Sequence, residues 1–163
     1  MGMKPNDFFE IFVQGDYDDY LSNIGSIRHA FNASISVSHM ANQYLIYYKR
    51  HDPSKVISFN KIGDFVEYLS KNTNDCFRDL RSISNAYKHL YASKIHWTVT
   101  SPGALESIFF QNSKLKIKEI TEEYTEEYGY IDSKVIYTRI DGQKLDFLPT
   151  LETVYKFWRN ILY

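Results

Sequence analysis

Two rows of polar side chains, one crossing an otherwise apolar helical stretch and one lying beside an apolar stripe, carry the residue types from which a binding or reacting site could be built. Arg28, Asn32, Ser36, His39 and Gln43 are spaced by four, four, three and four, so at about 100° per residue they share a sector of about 80° on one helix. Arg78, Arg81, Ser82, Asn85, Lys88 and His89 form a second, positive row beside an apolar stripe, with Asp79 as its only close acid. Guanidinium groups meet phosphates and carboxylates through a planar fork, and a neighbouring imidazole can move a proton to or from a hydroxyl. Arg28, Asn32 and His39 on one helix and Arg78, Arg81, Asn85, Lys88 and His89 on the other are expected to meet as a polar seam, the candidate binding site. The competing reading is structural: such groups pair with neighbouring helices or face water, as buried polar groups normally find partners.

Other chemistry is poorly provided for. The five histidines have no metal-ligand spacing and Cys76 is the only cysteine, so no metal site and no cofactor is expected. The seven glycines are scattered, with no phosphate loop, nucleophile elbow or dinucleotide fingerprint. Lys114, Lys116 and Lys118 line one face of an expected strand, but Glu119, Glu122 and Glu123 offset them. Tyr124, Tyr128 and Tyr130 stand in acidic company that would repel phosphates, so that loop is read as a contact for a protein partner or a second copy.

The elements that must position these residues are set by hydrophobic period. Pro5 opens a short helix, about 5–14, that Gly15 is expected to stop, and Asp16 is a candidate cap for the next helix. Ser22–Tyr48 contains no proline and reads as the longest helix, apolar over most of its circumference and therefore central. Asp52-Pro53-Ser54 breaks it; Phe59, Ile62, Phe65, Val66 and Leu69 mark a third helix. After the turn Asn72-Thr73-Asn74, the residues Phe77, Leu80, Ile83, Tyr87, Leu90 and Tyr91 mark a fourth.

Between Ala92 and Ile95 the period falls to two: Ile95, Trp97 and Val99 alternate with polar residues, as do Leu115 and Ile117, and then Val135, Tyr137 and Arg139. Asp141-Gly142 signals a two-residue hairpin with a return strand near 143–148. Glu122–Gly129 reads as an exposed loop, and Leu151, Val154, Tyr155, Trp158, Ile161 and Leu162 form the stripe of a closing helix. The expected fold is α+β in a single domain over residues 1–163: a bundle of about four helices (about 5–92), a small antiparallel sheet (about 94–148) and a C-terminal helix (about 150–162).

The segment Arg78–Leu90, with Asn85-Ala86-Tyr87-Lys88-His89 at its centre, resembles the Asn-Ala-x-Lys-His helix of uncharacterised bacterial proteins with a helical body and is similar to the HEPN group; Asp141-Gly142 and Phe157-Trp158 resemble their tails. The resemblance implies a helical bundle and an association with defence or nucleic-acid systems. HEPN ribonucleases pair an Arg with a closely following His, whereas seven residues separate Arg81 from His89 here and ten separate Arg78 from it. Two functions are therefore carried forward. One is an intracellular protein that acts by binding, without catalysis. The other is a HEPN-like ribonuclease or toxin component in which Arg81 stabilises a phosphate and His89 transfers the proton, the only reading under which RNA is a partner.

Composition frames both. The 163 residues suffice to bury a core without staples, and a formal net charge of −1 supplies no global attraction to nucleic acid. One cysteine suits a reducing, cytoplasmic compartment, and no apolar run is long enough for a membrane span. Aromatic residues make up 17% of the chain, 14 of them tyrosines, which points to a hydrogen-bonded core edge or an aromatic interface such as a homodimer would use.

Overall fold

A computed structural model describes residues 2–88, 98–99, 104–112 and 130–163. Helix α1 (Pro5–Phe8) runs through a π-helical turn (Phe9–Val13) into α2 (Gln14–Leu21), followed by α3 (Ile27–His51), α4 (Ile62–Asn72) and α5 (Cys76–Lys88). Strands β1 (Leu105–Asn112), β2 (Tyr130–Thr138) and β3 (Lys144–Asp146) form an antiparallel sheet in that order, and α6 (Phe147–Leu162) closes the chain. The architecture is α+β with a helical N-terminal part, as its hydrophobic periods require. The change of period between Ala92 and Ile95, the Lys114–Lys118 strand and the 122–129 loop lie outside the described residues.

Gly15 does not stop the first helix. A glycine in a helix costs about 1 kcal/mol relative to alanine, whereas burying a large apolar side chain returns about 1.5–3 kcal/mol, and Phe9, Val13 and Tyr20 are all buried on this one helical run. Asp16 accordingly sits within the helix, not at its cap. The break comes later, at Ser22–Ser26, where the Tyr20 hydroxyl donates to Ile24 O at 2.9 Å and Ser26 Oγ caps α3 by accepting from His29 N at 3.3 Å. This loop docks directly on the sheet: Val135 N donates to Ile24 O at 3.1 Å, and a Cβ on Gly25 would lie 1.9 Å from Ser133 Oγ, so glycine permits the approach.

Half-buried on α2, Asp16 provides a pH test. Burial, and secondarily Asp19, raises its carboxyl pKa above the usual 3.8, outweighing the favourable influence of Ser36 and His29. A raised carboxylate pKa means that ionised Asp16 costs stability above its folded pKa, a cost removed as pH falls through that value. Asp16→Asn should therefore melt about 1–2 °C higher at pH 7, a sub-kcal effect because the group is part-solvated. The gain should vanish below pH 4; a lower melting point at pH 7 would refute the burial argument.

The remaining elements begin where local signals place them. Lys61 N donates to Asp64 Oδ2 at 3.2 Å at the start of α4, and Phe77 N donates to Thr73 Oγ1 at 3.0 Å at the start of α5, after Asn74 and Asp75 turn the chain with φ of 50° and 63°. The β2–β3 connection is longer than a two-residue turn: Arg139 N donates to Gln143 O at 2.8 Å, leaving Ile140–Gly142 as the loop, with Gly142 at φ 88°. The return strand ends at Asp146, and residues 147–148 already belong to α6, with Pro149 tolerated in its first turn. One hydrophobic cluster joins α1–α6 to the inner face of the sheet, with Trp158 of α6 set among Tyr44, Phe65 and Phe77.

Candidate functional site

The second polar row divides on α5. Arg81 and Asp79 are two residues apart, so their side chains leave the helix about 160° from one another. Asp79 turns inward and is fully buried, and its partner is not a cation of its own helix but Arg139, beyond the end of β2. Arg139 Nε lies 3.1 and 3.0 Å from the two carboxylate oxygens and Nη2 lies 2.7 Å from Oδ2. The Tyr137 hydroxyl donates to Asp79 Oδ2 at 2.5 Å, and Thr98 Oγ1 donates to Oδ1 at 2.7 Å. Thr150 of α6 adds a contact to the Tyr137 hydroxyl at 3.0 Å. Hydrogen bonding to Asp79 holds the Arg139 pKa above its usual value, and burial, then the Asp79 charge, pushes the Tyr137 phenol up. The cluster is a buried, satisfied tie between α5, the sheet and α6.

With Asp79 engaged elsewhere, the outer face of α5 is more positive than its sequence suggests. Arg78 is neutralised from α4 and from the turn, by Glu67 Oε2 at 2.9 Å and Asp75 Oδ1 at 3.2 Å, and its pKa is raised chiefly by the Glu67 bond. Arg81 has no carboxylate partner among the described residues. It is half-buried, burial lowers its pKa, and its hydrogen bond is a long one, 3.4 Å, to Ser38 Oγ of α3. A guanidinium in that position has lost part of its hydration without gaining a counter-charge, an arrangement that an incoming anion would relieve.

Arg81 opens onto a cleft of about 180 Å³ between α4 and α5, lined by Ile62, Gly63, Val66 and Glu67 on one side and by Arg78, Arg81 and Ser82 on the other. Ser82 Oγ donates to Arg78 O at 2.7 Å and accepts from Thr98 N at 3.2 Å, so it belongs to the scaffold as much as to the cleft. Two other concavities are less suited to hold a charge. A groove of about 660 Å³ beside the stacked Tyr17 and Tyr155 presents Lys156 and Arg159, and one of about 190 Å³ presents Arg50 and His51. All four of those side chains are exposed, where hydration and salt screen their attraction.

Most of the first polar row lies at the surface of α3. Arg28, Asn32 and His39 are exposed, Ser36 is buried with its hydroxyl on Ala33 O at 3.1 Å, and Gln43 Nε2 donates to Met3 O at 2.6 Å. The hydrogen bond that joins α3 to Arg81 uses Ser38, which lies outside that row. Asn85 is half-buried on α5, whereas the side chain of Lys88 and the whole of His89 lie outside the described residues. Sequence reasoning named Arg78 and Arg81 but missed the Asp79 cluster; its one available signal was Arg139, which shares a strand face with Val135 and Tyr137 and so must find an acid inside. Among the described residues no group of His, Cys, Asp and Glu is placed to hold a metal ion, and no helix is long and apolar enough to cross a membrane. Comparison of the chain with family models, with curated proteins and with solved structures finds no match.

Proposed function

We propose that this chain acts by binding, with Arg81 in the α4–α5 cleft as the anchor for an anionic group. The observation that carries the reading is the half-buried guanidinium without a carboxylate partner among the described residues, beside a second arginine whose charge is already met by Glu67 and Asp75. Hydrogen bonds to a charged group are worth about 1.5–3 kcal/mol, about tenfold to a hundredfold in the affinity for a ligand or for one acidic group of a larger partner.

Sodium acetate, sodium phosphate and a short RNA oligonucleotide are suitable probes, titrated into the full chain at constant ionic strength. At least one should bind, and Arg81→Met, which keeps the side-chain length and removes the charge, should weaken it about tenfold or more. Equal binding by Arg81→Met, or none by the parent, would reject the cleft as the site.

The ribonuclease reading shares Arg81 and draws support from that side chain's position on an open cleft rather than in a sealed core. It makes a different demand: pure protein should cleave mixed RNA, and His89→Ala should abolish cleavage while the fold is retained. Binding without cleavage favours the first reading.

A further inference from the structure

The cleft constrains what its anion is attached to. Its volume of about 180 Å³ is below the roughly 300–1,000 Å³ of sites that hold drug-sized molecules and just above the roughly 150 Å³ in which an apolar cavity takes up benzene. Its walls are of two kinds. Arg81 and Ser82 are polar, whereas Ile62 and Val66 present hydrocarbon and Gly63 presents no side chain at all. The charges are equally restrictive: Arg78 is already met by Glu67 at 2.9 Å and by Asp75 at 3.2 Å, so Arg81 is the lining cation without a carboxylate partner among the described residues. A monoanion meets that one guanidinium, while a dianion would place its second charge beside the Glu67 carboxylate.

We infer that the cleft binds a small amphipathic carboxylate, with the carboxylate on the Arg81 guanidinium and an aryl or short alkyl body against Ile62, Gly63 and Val66. The inference rests on the anion-binding reading above and adds to it a ligand class. Both halves of such a ligand are needed: the carboxylate meets the unbalanced charge through the planar fork, and the apolar body fills a space that water would occupy with few partners. Gly63 controls the room for that body. A Cβ built there meets only the end of the Lys61 side chain, Cε at 3.9 Å, so a larger residue can stand at this lining position without displacing the protein's own core.

Calorimetric titration of the full chain with sodium benzoate, sodium phosphate and benzyl alcohol, at matched ionic strength, tests this. Benzoate should bind, and phosphate and benzyl alcohol should each bind about tenfold more weakly or worse. Gly63→Leu should cut benzoate affinity by a similar factor with the helical circular dichroism unchanged, since leucine favours the helix that glycine weakens; Gly63→Ala, a smaller intrusion, should fall between. Phosphate binding as well as benzoate, or benzoate binding untouched in a folded Gly63→Leu, would overturn the amphipathic ligand and leave the anion site standing. Benzyl alcohol binding as well as benzoate, or no probe binding at all, would remove both.

Discussion

Replacing Asp79 with alanine should destabilise the protein by about 3–5 kcal/mol, the cost of leaving one member of a buried ion pair without the other. Asp79 is fully buried, and three donors from two distant parts of the chain converge on it: from the end of β2, Arg139 at 2.7 Å and Tyr137 at 2.5 Å, and Thr98 at 2.7 Å. Without the carboxylate, the Arg139 guanidinium, whose side chain is only 20% exposed, and the buried Tyr137 hydroxyl both lose their principal acceptor. For a chain of this size the loss corresponds to a fall in melting temperature of about 10–15 °C, measurable by thermal or urea unfolding.

The pairing itself has a separate test, because burying two charges is expensive and their mutual attraction largely repays that expense without a surplus. The double variant Asp79→Leu with Arg139→Met should recover most of the stability lost in Asp79→Ala. A double variant no more stable than the single one would mean that Tyr137 and Thr98, rather than Arg139, dominate the cluster. A single variant costing under about 1 kcal/mol would sink the claim that the cluster ties α5 to the sheet.

Trp158→Ala should cost a similar amount, about 3–5 kcal/mol, by a different mechanism. The indole is fully buried at the junction of α3, α4, α5 and α6, with ring centroids 5.9 Å from Tyr44, 6.1 Å from Phe65 and 6.4 Å from Phe77. Truncation removes a large apolar contact area and leaves a cavity between helices that cannot all close on it. Trp158→Phe should be far milder. It keeps a ring in the cluster and removes an indole Nε1–H that has no hydrogen-bond partner among the described residues, a donor whose burial itself costs about 1–3 kcal/mol. Chemical unfolding followed by far-ultraviolet circular dichroism distinguishes the two; equal costs for alanine and phenylalanine would show that ring packing is not what holds α6 in place.

What was legible in the residues is what short-range physics controls. Asp52-Pro53 ends α3, Asn72-Thr73-Asn74 turns the chain into α5, Asp141-Gly142 lies in the β-hairpin, and the Leu151–Leu162 stripe docks the last helix, each a signal contained within a few residues. The failures all involve distance. Helix α2 continues through Gly15 because the core rewards Phe9, Val13 and Tyr20 more than glycine penalises the helix. Strand β1 went unread because Leu105–Asn112 does not alternate cleanly between apolar and polar and is defined by pairing with β2, Leu105 opposite Tyr137 and Asn112 opposite Tyr130.

The candidate site divides along the same line. Sequence alone determined that α5 carries an arginine row beside an apolar stripe, since helical spacing fixes which side chains share a face. It placed Asp79 among those arginines as their nearest acid. Only the tertiary structure decided otherwise: a 160° difference in direction sends Asp79 inward to Arg139, sixty positions along the chain, while Glu67 and Asp75 satisfy Arg78. Arg81 is left facing Ile62, Gly63 and Val66 because α4 packs beside α5. No local pattern encodes that juxtaposition, which exists only once both helices have buried their apolar faces in one core.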